Sequence, residues 1–221
     1  MGLFEFYQSL PSIESITPYQ FYIKGYTEAL KQFSDVRVVL SEEWLQGVPL
    51  DLRDYFYRVG FPNYFIPIFL QEDCFGFVLK GFSKETPRFG TNMLLPGCER
   101  IMPGGLVLLV EGIKDTYLPL QACRGLPVTV LPMLTAVPGR ELLAWFKEHN
   151  CAVLYVPDND DRRADHVSRF AEVCGKVGIR NSLFLLEQVG DFGEFFETTK
   201  RIAVLEEGKR LRKLVQSLVT F

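Results

Sequence analysis

Four carboxylates stand directly after two apolar runs of the chain. Glu111 and Asp115 follow the first run, and Asp158 and Asp160 follow a second run further on. Hard divalent cations such as Mg²⁺ prefer oxygen ligands and keep several of their waters, so a few carboxylates are enough to hold one. The residue types therefore predict a site for Mg²⁺ or Mn²⁺, and Glu111 could alternatively serve as a general base.

The two apolar runs have the composition of buried parallel strands. Residues 106–110 and 152–156 are apolar without alternation, which is typical of strands covered on both faces. Ligand sites of open α/β sheets lie at the carboxyl ends of such strands. Gly112 frees the turn beside Glu111, so that the backbone can come close to a phosphate.

Strands and helices alternate through this part of the chain and predict a parallel sheet with right-handed crossovers. A fifth acid, Asp191, follows the last predicted strand. The predicted strands are 106–111, 128–131, 151–156 and 182–186, and the predicted helices are 115–123, 139–148 and 165–175.

The fold class predicted from these patterns is α/β, with a smaller mixed α+β subdomain in front. Three segments are expected: a helical and β-hairpin subdomain at 1–105, the parallel α/β domain at 106–193, and a helical tail at 194–221. Within the tail, the densely charged stretch 206–213 predicts a solvated helix surface with an apolar face beneath it. Residues 1–60 predict helices.

Cations and aromatic residues are interleaved after the predicted hairpin of strands 64–70 and 74–79. Lys80, Lys84 and Arg88 could contact a phosphodiester backbone. The neighbouring aromatic ring of Phe89 could stack on a base. The alternative is a solvated hairpin edge protected by lysines, which this segment favours when it is taken alone.

Composition excludes several classes of protein. With 221 residues, 48% hydrophobic and 14% aromatic, the chain is not a disordered protein. The net charge of −3 means that any basic nucleic-acid surface must be local. Five scattered cysteines predict reduced thiols and no zinc site. No secretory signal or membrane span is expected, so the predicted location is cytoplasmic. His149 and His166 are assigned no role.

The motif Glu111-Gly112-x-x-Asp115, followed by Asp158-x-Asp160, resembles the TOPRIM domain. This fold is shared by DnaG-type primases, type IA and type II topoisomerases, OLD-family nucleases and RecR-type proteins. Either half alone occurs by chance, and the second could be a turn that caps a helix. Both halves at the proper strands favour a TOPRIM-type sheet, whose acids, by the resemblance, bind the metal.

The segment in front resembles the basic-aromatic subdomain of DnaG-type primases. The matching stretches are 63–68, 76–80 and 86–89. The resemblance implies that Lys80 and Arg88 contact template or nucleotide phosphates. It also implies that Asp191, which stands where primases carry an Asp-Pro-Asp motif, contributes to the metal site.

The sequence departs from the family pattern at several places. Asn63 stands where the family has Arg, and Phe192-Gly193 replaces Pro-Asp. The family's Leu-Gly-Thr after the second strand is Pro132-Met133-Leu134-Thr135 here, without the glycine. A zinc module before the core and a helicase domain after it are not seen. The resemblance therefore implies a minimal core, as in a phage or mobile element, with a replicative helicase or a separate zinc-binding protein as partner.

The expected function is that of a DNA primase, a nucleotidyltransferase that joins NTPs into short RNA primers on single-stranded DNA. One alternative is a TOPRIM nuclease, in which the same acids hydrolyse nucleic acid. Another is a non-catalytic subunit that binds DNA or a helicase. The cationic and aromatic segment at 63–90 favours the primase.

Overall fold

The computed structural model describes residues 3–15, 26–33, 35–46, 48, 50–70, 73–81, 86–90 and 94–219. Contacts divide the chain into two compact units, Met1–Glu99 and Arg100–Phe221. The predicted cation Lys84 lies outside the described residues, as do residues 16–25 of the stretch 1–60 that is predicted to be helical.

The first unit contains a four-stranded antiparallel sheet in the order β1-β2-β3-β4. The predicted hairpin is confirmed, because its two strands pair along their length. The helical prediction for residues 1–60 missed β1, a three-residue strand whose pairing partner lies further along the chain. The strands are β1 (Arg37–Val39), β2 (Asn63–Leu70), β3 (Asp73–Lys80) and β4 (Arg88–Gly90).

Aromatic side chains fill the core between this sheet and its helices. Phe65 and Phe77 stack across β2 and β3 with ring centroids 4.6 Å apart. Phe56 of a helix packs on Phe65 at 5.8 Å. Burial of such rings contributes strongly to stability because each removes a large apolar area from water. The helices are α1 (Leu3–Ser9), α2 (Tyr26–Leu30) and α3 (Leu50–Val59).

The second unit contains a parallel sheet in the order β6-β5-β7-β8, flanked by helices. The predicted fold class is confirmed. All five residues of the central strand β5 are buried, as its unbroken apolar run predicts. The elements are β5 (Leu106–Val110), α4 (Tyr117–Ala122), β6 (Val128–Pro132), α5 (Arg140–Glu148), β7 (Ala152–Val156), α6 (Arg163–Val177), β8 (Asn181–Leu183) and α7 (Arg201–Val219).

Two predicted elements differ in detail from those observed. The helix predicted at 115–123 is a 3-10 turn, Lys114–Thr116, followed by α4. The last strand, predicted at 182–186, has only three residues. Both are short elements next to loops, where the hydrophobic pattern gives weak boundaries.

The predicted tail begins inside the 3-10 turn Phe192–Phe196 and continues as α7, which is part of the second unit. Val204 and Leu211 are completely buried in its core. The prediction of a solvated charged stretch is wrong for Glu207, which is 0% exposed. Its carboxylate accepts hydrogen bonds from the backbone N–H groups of Glu187 and Gln188, both at 2.9 Å. No described helix is long and apolar enough to cross a membrane.

We expect Glu207→Ala to lower the free energy of unfolding by roughly 2–4 kcal/mol, because two backbone donors and Arg210 lose their buried acceptor. Urea unfolding followed by circular dichroism measures the change. Glu206→Ala is the matched control, since its exposed pair with Lys209 contributes under about 1 kcal/mol. Equal effects of the two substitutions would contradict this packing.

Candidate active site

The five predicted acids face one another at the carboxyl ends of β5 and β7 in the second unit. Burial, followed by the negative charges of the other four acids, raises the pKa of Asp158 to about 9. Like charges contribute to such a shift only at short range or where water is excluded. The five acids therefore share one site: Glu111, Asp115, Asp158, Asp160 and Asp191.

Asp115 is the buried anchor of this site. The backbone N–H of Gly112 donates to its Oδ2 (2.9 Å), and the backbone N–H of Gly193 donates to its Oδ1 (2.8 Å). Burial and the charge of Asp191 raise the pKa of Asp115 to about 7, against the opposing effect of these donors. Asp115 thus ties the turn after β5 to the loop that carries Asp191.

Glu111 is held by residues that the sequence analysis missed. Its Oε1 accepts hydrogen bonds from the Tyr155 hydroxyl (2.9 Å) and the backbone N–H of Asp158 (3.2 Å), and lies 3.3 Å from Nδ1 of His166. His166 is buried, and Tyr155 is completely buried on β7. These three contacts hold Oε1 in place.

Asn159, the middle residue of the Asp158-x-Asp160 turn, connects that turn to the loop before Asp191. The backbone N–H of Asn159 donates to the Gly190 carbonyl (2.6 Å), and its side-chain amide donates to the Val189 carbonyl (3.1 Å). Asp191 itself caps the following 3-10 turn, because its Oδ1 accepts from the backbone N–H of Glu194 (2.8 Å). The positions of three acids are therefore interdependent.

The donor set suits a hard divalent cation, since it consists of carboxylate oxygens. Burial first, and the neighbouring carboxylates second, raise the pKa values of Asp115 and Asp158. Across the described ranges, no three acidic, histidine or cysteine side chains already form a closed ligand group. Mg²⁺ needs only one or two direct carboxylates because it retains waters, so an open cluster of this kind fits.

The predicted cationic residues lie in the first unit. Lys80 ends β3, an interior strand, and is 6% exposed. The solvated-edge alternative is therefore wrong for Lys80, whose pKa is lowered by burial. Arg88 on β4 lies opposite Val78 on β3. Val78 and Lys80 are two residues apart on β3, so their side chains, and that of Arg88, lie on the same face of the sheet. Phe89 lies on the other face, its ring centroid 5.2 Å from that of Tyr55.

No protein-family model and no curated protein match the sequence. Among solved structures, the chain is similar to a DNA primase domain from Pseudomonas aeruginosa, with a TM-score of 0.61 and 15% identity over 90% of this chain and 76% of that one.

Two further structures extend this similarity. The RNA polymerase domain of Mycobacterium tuberculosis DnaG, solved with double-stranded DNA, gives a TM-score of 0.59 at 16% identity, covering 93% of this chain and 77% of that one. The Aquifex aeolicus primase, with its zinc-binding and RNA polymerase domains, gives a TM-score of 0.56 at 16% identity. The match covers 94% of this chain and 63% of that one. The chain has the fold of DnaG-type primase catalytic cores.

We expect the metal-free protein to lose stability as the pH rises. Asp158 and Asp115 have raised pKa values in the folded state, so the folded protein binds more protons than the unfolded one above about pH 4. In EDTA, the free energy of unfolding should fall by at least about 2 kcal/mol between about pH 5 and about pH 8.

Asp158→Asn tests the origin of this slope, because an amide cannot ionise and should flatten the curve. The exposed neighbour Asp161 provides the control, and Asp161→Asn should keep the wild-type slope. Chemical denaturation at a series of pH values gives both curves. A wild-type stability that rises over this interval would show that the acids are not crowded together.

Proposed function

We propose that the protein is a DnaG-like primase core that makes short RNA primers on single-stranded DNA by metal-dependent nucleotidyl transfer. The observation that carries the proposal is the convergence of five acids at one sheet edge in a chain with the primase fold. A fold alone hosts many functions, whereas the site decides the chemistry. Clustered carboxylates at this edge suit phosphoryl chemistry.

Glu111, Asp158 and Asp160 would hold Mg²⁺ or Mn²⁺, with Asp115 and Asp191 as outer ligands or as ligands of a second metal ion. When bound, such an ion lowers the pKa of an attacking hydroxyl and neutralises charge on phosphate oxygens. Tyr155 and the Asp158 backbone N–H keep the Glu111 carboxylate from rotating. Preorganised groups of this kind lower the cost of reaching the reactive geometry.

Lys80 and Arg88 are proposed to contact the template backbone or the triphosphate. Both belong to one face of the antiparallel sheet, and Lys80, which is buried in the free chain, must become accessible for both cations to contact neighbouring phosphates. Stacking of Phe89 on a base, and a phosphate contact by Lys84, remain predictions. The buried amide of Asn63 donates to the Gly60 carbonyl (3.4 Å), and we propose that this position makes no phosphate contact.

A primer-synthesis assay tests the proposal with labelled NTPs, single-stranded templates of varied sequence, and Mg²⁺ or Mn²⁺. Asp158→Ala combined with Asp160→Ala should reduce product at least about a hundredfold, because removal of metal ligands costs several kcal/mol of barrier. Asp161→Ala is the matched control and should stay within about threefold. Replication helicase and a zinc-binding protein are added in separate reactions.

The same reactions discriminate the rival functions. Primer synthesis that survives in the double variant would place the active site elsewhere. Degradation of nucleic acid without NTP incorporation identifies a TOPRIM nuclease. Template binding without either reaction, with or without the added partners, identifies a non-catalytic DNA-binding subunit.

A further inference from the structure

A cavity of about 290 Å³ lies at the amino ends of the parallel strands, on the edge of the sheet opposite to the acids. It is lined by the first residues of β5, β7 and β8, by the turns that precede them, and by the last residues of α7. The five residues of β5 run between this cavity and Glu111, a distance of roughly 16 Å at about 3.3 Å per residue. The cavity is therefore separate from the candidate active site, and its described lining residues all belong to the second unit.

The apolar part of the cavity wall is aliphatic. Leu218 and Val219 of α7 pack there against the core of the second unit. No described residue of the lining carries an aromatic ring, so a nucleobase would find no ring on which to stack. An alkyl group would instead gain free energy by leaving water. The aliphatic lining residues are Leu106, Pro127, Ala152, Val153, Leu218 and Val219.

The polar part of the wall comes from three consecutive residues at the turn into β8: Arg180, Asn181 and Ser182. The guanidinium of Arg180 donates to the Asn150 carbonyl (3.2 Å), and its backbone carbonyl accepts from the N–H of Val153 (2.9 Å). These two contacts hold Arg180 at the rim of the cavity. A guanidinium has five N–H donors in a planar fork that matches a carboxylate, so donors remain for an anion.

Positive charge gathers at the same end of the cavity. Burial raises the pKa of the Cys151 thiol, whereas the backbone N–H groups of Gly104 and Gly105 and the charge of Arg180 act to lower it. Gly104 and Gly105 line the cavity, and Cys151 directly precedes Ala152 of its wall. An anionic group is favoured at this end because the guanidinium and the amide N–H groups act together there.

We propose that this cavity binds a small organic acid, whose carboxylate accepts hydrogen bonds from Arg180 and Ser182 and whose alkyl chain lies against the aliphatic wall. Small-molecule sites combine apolar walls with a few convergent polar groups in this way. The volume gives room for roughly ten heavy atoms at about 30 Å³ each, which is the size of octanoate. The inference goes beyond the proposed function and does not depend on it, because cavity and acids lie at opposite edges of the sheet.

Calorimetric titration of the whole chain with sodium octanoate in EDTA tests the inference. The wild type should bind one octanoate per chain, and 1-octanol, which lacks the charge, should bind about fivefold more weakly. Arg180→Gln should weaken octanoate binding by the same factor and leave octanol binding unchanged. Lys176→Gln removes an exposed lysine that is paired with Glu172, and this control for net charge should bind octanoate like the wild type.

Two further arms locate the site and define the ligand. Ala152→Leu should weaken both ligands at least about tenfold, because the larger side chain fills the cavity. In the wild type, octanoate should shift the backbone amide resonances of Gly104, Gly105 and Ser182 and leave that of Glu111 in place, a readout that needs no variant. AMP carries an anion on a nucleobase and should bind more weakly than octanoate.

Absence of saturable octanoate binding, or amide shifts confined to other residues, would overturn the inference. Equal octanoate affinity in the wild type and Arg180→Gln, or in a folded Ala152→Leu, would overturn it as well, and tighter binding of AMP would replace the organic acid by a nucleotide. Octanoate binding as predicted in a protein that makes no primers counts against the proposed function alone. Primer synthesis without octanoate binding counts against this inference alone.

Discussion

The second unit depends on holding mutually repelling carboxylates together. Five acids meet at one edge of a sheet whose strands are buried, where water screens charge poorly. Backbone N–H donors make this arrangement stable enough to persist, above all those of Gly112 and Gly193 on Asp115. Charge-assisted hydrogen bonds to a buried carboxylate are stronger than neutral ones. The turn after β5 and the loop before Asp191 are shaped by this requirement.

The same requirement explains the dense connections around the site. Asn159 fastens the Asp191 loop to the turn after β7, and Glu207 fastens the start of that loop to α7. Loss of either contact would let one acid move away from the others, since repulsion favours separation. The last helix thus contributes to the site without supplying a ligand.

The sequence predicted those features that follow from local pattern. Unbroken apolar runs identified β5 and β7, and parallel strands bring their carboxyl ends to one edge, so the grouping of Glu111 with Asp158 could be foreseen. The contacts of Tyr155 and His166 with Glu111 could not be foreseen, because they depend on the exact rotation of β7 and α6. Glu207 looked solvated because its neighbours are charged.

The central claim is that these acids form one shared site for divalent metal. Iron-mediated cleavage of the backbone tests it directly: Fe²⁺ replaces Mg²⁺ at the site, and ascorbate with peroxide then generates radicals that cut nearby peptide bonds. The account predicts cuts in the segments 111–115, 157–161 and 189–193, all suppressed by excess Mg²⁺. Cuts confined to one segment, or cuts that Mg²⁺ does not suppress, would contradict a shared site.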